Sequence, residues 1–351
     1  MTDKYLGDNL IFIISQPRCG STLLQRILCG HPDIESSAET WLMLLPSYAD
    51  RKDGLQAGYG HNWSLVARDD FLEHYTDGPE VYDEAVRAWA KVFYDNALQK
   101  TGGKIFIDKT PRYALIVPEL QRFFPQAKFI FLLRNPVASF TSLMLSFVQK
   151  NQQIVPEFAP DLFEAPQKIM DGIESLGDAA IVVRYEDLVA NPDTQVRKLC
   201  EQLDIEFAPH MLDYSQTPEA KGFMTDRVGV QQRSRPTADS LDKWKDALSD
   251  PQQAEWSLGY LEDMGPELVG RMGYDYEELR RELLVAQQPA PELMPWRLAK
   301  VGIEHYSLRD GYWYSRWQCR KNYGAVRGEF AALYDLLYET CSRLKKSFSR
   351  R

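Results

Sequence analysis

The stretch Ser15-Gln16-Pro17-Arg18-Cys19-Gly20-Ser21-Thr22 sets a glycine, the hydroxyls of Ser21 and Thr22 and the forked cation of Arg18 between two apolar segments, Leu10 to Ile14 and Leu23-Leu24. A buried strand that turns through such a sequence into a helix has phosphate-loop architecture. Free N–H groups at the helix start, a small Gly20 and two hydroxyls form a concavity for an anion, and Arg18 adds charge. An ordinary tight strand-to-helix connection uses the same residue types. Laid on the triphosphate pattern G-x-x-x-x-G-K-[ST], Gly20 takes the second glycine, Ser15 stands for the first and Ser21 stands for the lysine. The group that would reach β- and γ-phosphates is missing. This disfavours a kinase or triphosphatase and points to a shorter phosphate-bearing group held by hydroxyls and arginine.

A second anion site is written downstream. Phe129 to Leu133 runs into Arg134-Asn135-Pro136, followed by Ser139, Thr141 and Ser142. A strand again delivers a cation to a helix start, where the dipole and unpaired N–H groups favour negative charge. Two such sites at the carboxyl ends of neighbouring strands imply a ligand phosphorylated at two separated points. Standing alone, Arg134 also fits a surface salt bridge.

The two segments together resemble the sulfotransferases that use 3′-phosphoadenosine 5′-phosphosulfate (PAPS), over roughly residues 9 to 250. P-R-C-G-S-T-L is similar to that superfamily's 5′-phosphosulfate loop and L-R-N-P-V-A-S-F-T-S to its 3′-phosphate segment. The spacing is closest to the tyrosylprotein sulfotransferase-like branch with its bacterial relatives. The resemblance implies that Arg18, Cys19, Gly20, Ser21 and Thr22 hold the phosphosulfate, and that Arg134 and Ser142 hold the 3′-phosphate. It makes Glu39, reached after His31-Pro32 and Ala38, the catalytic base, and Lys109 of Asp108-Lys109-Thr110-Pro111 a contact to the sulfuryl region. Tyr185 matches the tyrosine beside the adenine, and Lys243-Trp244 matches a late lysine that closes over the nucleotide. Such enzymes need no metal. Sulfuryl transfer then asks Glu39 to take the acceptor proton while Arg18 and Lys109 stabilise charge moving to the leaving phosphate. From spacing alone Glu39 also fits a helix cap or salt-bridge partner, Lys109 also fits an ion pair with Asp108, and His31 is the rival base. The resemblance weakens at the loop Gly229 to Ser240. There a serine expected before the late lysine falls on Val228, leaving Gln232, Arg233, Ser234 or Arg235 to substitute for it.

These residues need a sheet to carry them. Leu10 to Ile14, Ile105 to Ile107, Phe129 to Leu133 and Ala180 to Val183 are near-continuous apolar runs, the pattern of parallel strands covered on both faces. The fold class expected is α/β: a P-loop-like parallel sheet flanked by helices, with helical cap insertions and a C-terminal helical extension. Asn135-Pro136 and Asn191-Pro192 each set a capping side chain before a proline at the first helical position. After the second, Val196, Leu199, Cys200 and Leu203 make an apolar stripe. The expected domains are 1–284, the sulfotransferase domain with helical acceptor-side insertions at 41–100 and 145–175, and 285–351, an aromatic and basic extension. That extension opens on Gln287 to Pro291, carries Trp296, Tyr306, Tyr312, Trp313, Tyr314 and Trp317, and closes on a helical stretch from Phe330 to Phe348.

Composition bounds the rest. With 44% hydrophobic and 26% charged residues the chain is in the globular range, which excludes disordered, collagen-like and disulfide-scaffold readings. Five widely spaced cysteines with no C-x-x-C argue against a zinc site or a disulfide framework and fit a reducing cytoplasm. No apolar run near the start is long enough to span a membrane. A net charge of −9 argues against nucleic acid as a partner. The charge is uneven: from Arg316 to Arg351 nine basic residues face three acidic ones. This end is expected to pack as a helix with a solvated basic tip, to cover the acceptor as a lid, or to touch an anionic membrane surface. The expected partner is a hydroxyl-bearing acceptor: a small metabolite, sugar or lipid. The alternatives are an atypical phosphate-loop small-molecule kinase and a nucleotide-binding protein without chemistry.

Overall fold

The computed structural model describes residues 4–149, 152–215, 217, 220–221, 235–288, 293–301, 308–323 and 332. The chain divides into two compact units, Met1–Arg134 with Phe163–Asp239, and Asn135–Leu162 with Ser240–Arg351.

The strands are β1 (Leu10–Ser15), β2 (Ile34–Ser36), β3 (Ile105–Lys109), β4 (Lys128–Leu133) and β5 (Ala180–Arg184). The helices begin with α1 (Ser21–Leu28), α2 (Leu44–Ala49), α3 (His61–Tyr75), α4 (Glu80–Thr101) and α5 (Val117–Phe123). There follow α6 (Pro136–Leu143), α7 (Ala165–Leu176), α8 (Tyr185–Ala190), α9 (Pro192–Leu203), α10 (Lys243–Ala247) and α11 (Pro251–Arg271). Last come α12 (Tyr276–Ala286), α13 (Trp296–Ala299) and α14 (Leu308–Tyr323).

The first unit holds one parallel sheet in the order β2-β3-β1-β4-β5. All six residues of central β1 are buried, as a strand between two neighbours and two layers of helix requires. The four apolar runs form β1, β3, β4 and β5, and the expected α/β class with a helix-flanked parallel sheet is the one observed. Strand β2 departs from that expectation. It has three residues with one buried side chain, Ile34, and is set by its pairing with β3. Residues 41–100 are largely helical, as expected, and α4 packs on β3. The core sits at Phe12, whose ring lies 5.4 Å from Phe129, 5.7 Å from Phe124 and 6.1 Å from Tyr113. In α9 the stripe Val196, Leu199, Cys200 and Leu203 is buried. Asn191 stands at its cap position, but its side chain makes no capping bond, in contrast to the expectation.

In the second unit Asn135 does cap α6, its Oδ1 accepting from the N–H groups of Val137 at 2.9 Å and Ala138 at 3.2 Å. The core of this unit stacks Phe140 on Tyr260 at 4.5 Å, with the Trp296 ring edge-on to Phe140 at 5.3 Å. The segment around Met294 and Trp296 is fastened to α11. Gln252 exchanges two hydrogen bonds of 2.8 Å with the Met294 backbone, and Trp256 Nε1 donates to Met294 O at 2.7 Å. Trp296 Nε1 donates to Asp263 at 2.7 Å. The Trp296 ring lies so close to Gly259 that a Cβ there would stand 2.5 Å from Cδ1. Gly259→Ala is therefore expected to lower stability by about 1–3 kcal/mol through overpacking, where alanine in an open helix would add about 1 kcal/mol. Urea unfolding checks the sign, and in a Trp296→Ala background the same substitution is expected to stabilise. The stretch Phe330 to Phe348, apart from Ala332, lies outside the described residues, as do Tyr306, Val228 and Gln232 to Ser234. Among the described residues no helix is long and apolar enough to cross a membrane.

Candidate active site

Strand β1 ends at Ser15, and the chain turns through Gln16 to Gly20 before α1. Two residues of the turn have positive φ, Arg18 at 66° and Gly20 at 93°. Gly20 is the N-cap of α1 and, having no side chain, caps no N–H group of the first turn, where the helix dipole favours an anion. Glycine is required twice over. The left-handed backbone suits it, and a Cβ there would lie 2.4 and 2.5 Å from ring carbons of Tyr185. Of the loop side chains, Cys19 and Ser21 are buried, whereas Arg18 and Thr22 are half-buried.

Tyr185 opens α8 where β5 ends, and Arg134 directly follows β4. The Arg134 guanidinium lies 4.5 Å from the Tyr185 ring centre, and its Nη1 donates to the carbonyl of Arg18 at 2.7 Å. The carboxyl ends of three neighbouring strands thus converge. The first loop, the cation of the second segment and the tyrosine ring form one connected group.

The other half of the sheet carries a second cluster. Lys109 ends β3 and is 4% exposed. Its Nζ donates to Glu39 Oε1 at 3.2 Å, and Trp41 Nε1 donates to Glu39 Oε2 at 3.2 Å. Lysine 109 therefore pairs with Glu39 and not with its neighbour Asp108. Asp108 instead accepts from the hydroxyls of Thr40 and Tyr94 at 2.8 Å and of Tyr113 at 2.9 Å. Burial pushes its carboxyl up, opposed by these hydrogen bonds. Burial and the facing Asp108 push the Tyr94 and Tyr113 hydroxyls well above the usual tyrosine range, so both stay donors. Asp108 is thus the knot that ties the Glu39-Thr40-Trp41 segment to β3. His31, the rival base, is buried, and its Nδ1 accepts from the Asp33 N–H at 3.2 Å, the bond of a turn.

The sulfotransferase family model matches residues 10–209. The chain belongs to that family. Nodulation protein NoeE of Sinorhizobium fredii is 27% identical to it over 290 residues, which cover 76% of this chain and 66% of NoeE. Protein-tyrosine sulfotransferase 1 of Danio rerio is 25% identical over 279 residues, covering 76% of this chain and 72% of that protein. Among solved structures, a sulfotransferase domain from the curacin biosynthetic pathway aligns with a TM-score of 0.47 at 23% identity, covering 67% of this chain and 89% of that one. The resemblance to the tyrosylprotein-like branch accords with these relatives.

Three expected contacts of the sulfotransferase belong to its second unit. Ser142 is half-buried on α6, Lys243 is exposed at the start of α10, and Trp244 is buried within that unit. Four residues of the first unit escaped the sequence reading. Tyr94 sits mid-helix with nothing around it to mark it, and Tyr113 lies just past the Asp108-Lys109-Thr110-Pro111 element. Trp41 adjoins Glu39-Thr40, where an aromatic after a polar pair was the one available signal. Gln25 of α1 fastens the end of β2, its Nε2 donating to Ser36 Oγ at 2.5 Å and Ser37 O at 2.8 Å.

Proposed function

We propose that this sulfotransferase moves a sulfuryl group from PAPS to a hydroxyl acceptor, a small metabolite, sugar or lipid, with Glu39 as general base. The observation that supports this most is the Arg134 hydrogen bond to the Arg18 carbonyl, which links the two anion sites through one guanidinium. The donor set suits a nucleotide with two separated anions. A helix start at Gly20 lies on one side, a guanidinium against an aromatic ring on the other, and no lysine follows the glycine.

In this reading Arg18, Cys19, Gly20, Ser21 and Thr22 hold the 5′-phosphosulfate, and Arg134 holds the 3′-phosphate. Tyr185 flanks the adenine. PAPS supplies an activated sulfuryl group whose leaving group is a phosphate. The chain's own work is positional and electrostatic. Glu39 holds a carboxylate ready for the acceptor proton, and Lys109 and Arg18 set positive charge where the phosphate oxygens gain electrons. Residues 1–284 form the catalytic domain in this proposal, and 285–351 an extension.

Arg134→Ala is expected to weaken binding of the desulfated product, 3′-phosphoadenosine 5′-phosphate (PAP), by about 1.5–3 kcal/mol, the range for a charged hydrogen bond. Calorimetry with PAP and with AMP tests the assignment. Wild type should prefer PAP, and the variant should bind both alike. Unchanged PAP affinity in the variant would overturn it.

A further inference from the structure

We infer that Trp41 is the positioning residue of Glu39 and the surface on which the acceptor rests, so that the acceptor carries its hydroxyl on a flat-faced ring. The inference rests on Glu39 being the base, as proposed above. Its first support is strain. Trp41 has φ 53°, in the left-handed region where a bulky side chain is an outlier, and such residues persist only where their surroundings over-determine them. Here the surroundings are two threonines. The Trp41 N–H donates to Thr110 Oγ1 at 3.4 Å and the following Leu42 N–H to Thr40 Oγ1 at 3.1 Å. Both hydroxyls bond Asp108, at 3.5 and 2.8 Å. A buried carboxyl thus holds an aromatic residue in a conformation it disfavours.

Burial is not the return on that strain, because Trp41 remains 40% exposed. What the conformation achieves is the bond from Nε1 to Glu39 Oε2. With Lys109 on Oε1 and the indole on Oε2, each carboxylate oxygen has one donor, and two donors on different oxygens fix the plane of the group. Each oxygen keeps lone-pair capacity for one more proton donor. Because Nε1 stands 3.2 Å from Oε2, a hydroxyl that bonds Oε2 brings its carbon frame into van der Waals reach of the indole. The exposed ring is therefore a floor for the acceptor, and a flat ring covers it better than an open chain. The Arg112 guanidinium, 6.0 Å from the indole centre, flanks the same floor.

The experiment follows transfer from labelled PAPS to three probes, 2-naphthol, methyl β-glucoside and 1-butanol, with PAP binding measured alongside. Wild type is expected to use at least one ring probe with about tenfold or greater kcat/KM over butanol. Trp41→Phe keeps a ring and loses the N–H. It should lower kcat about tenfold, the loss of one charged hydrogen bond, with KM within about twofold. Trp41→Ala should lower kcat likewise and raise KM for the ring probe. Trp41→Gly, which accepts the positive φ, should melt about 2 °C or more above Trp41→Ala, against their usual order. Wild-type kcat in Trp41→Phe, unchanged ring-probe KM in Trp41→Ala, or a preference for butanol overturns the inference. So does PAP binding without transfer to either ring probe, and in that case the sulfotransferase reading still stands. Failure of the wild type to bind PAP would instead sink that reading.

Discussion

Glu39→Gln is expected to lower kcat by about 10²–10⁴-fold, the range for removing a general base, without weakening PAP binding. The amide keeps the shape of the carboxylate and can still accept from Lys109, but it cannot take a proton from an acceptor hydroxyl. Its nitrogen also brings a donor to a site built from two donors, the Lys109 ammonium and the Trp41 indole. One of those contacts must open. The Lys109 side chain is 3% exposed and then lacks its ion-pair partner, and a buried charge stripped of its counter-charge is costly. An anion arriving at the site would offset that loss. PAP is therefore expected to raise the melting temperature of Glu39→Gln by at least as much as that of wild type. Steady-state kinetics and thermal shifts with PAP check the two halves. Full turnover in the variant would remove Glu39 from the role of base, whatever its hydrogen bonds.

Most of the sheet and the turns that carry Arg18 and Arg134 were legible because one physical rule governs them. Central parallel strands must be apolar on both faces, and ligands gather where those strands end, so Leu10 to Ile14 and Phe129 to Leu133 announce both the strand and the turn that follows. The rule fails at an edge. Ile34 to Ser36 holds a single apolar residue, and only its pairing with β3 makes it a strand. Local chemistry was similarly uneven. Asn135 makes its cap and Asn191 does not, although both precede a proline. Glu39 and Lys109 were legible by resemblance, but their bond to each other was not, since 70 residues separate them. The Asp108 knot was hidden for the same reason. Its three close donors come from the segment after β2, from α4 and from the turn after β3, and tertiary packing alone brings those hydroxyls together.

Gly20→Ala is expected to have the largest structural effect of any single methyl group added to the site. At φ 93° an alanine pays for a left-handed backbone, about 1–2 kcal/mol, and its Cβ would meet the Tyr185 ring at 2.4 Å, an overlap worth about 1–3 kcal/mol more. The ring cannot yield freely. Tyr185 is 7% exposed and lies against the Arg134 guanidinium, which in turn holds the Arg18 carbonyl. Displacing the ring therefore shifts the Arg134 cation and the Arg18 backbone, and on the proposed function PAP affinity should fall together with stability. A double-mutant cycle with Tyr185→Ala separates the two causes. Removing the ring relieves the overlap and leaves the φ strain, so the two substitutions should couple by about 1–3 kcal/mol in urea unfolding. Additivity within about 0.5 kcal/mol would mean that the backbone alone forbids the methyl and that the ring contact is incidental. Coupling in stability with no recovery of PAP affinity would make Tyr185 itself part of the nucleotide site, because the variant would then have its loop restored and its aromatic wall missing.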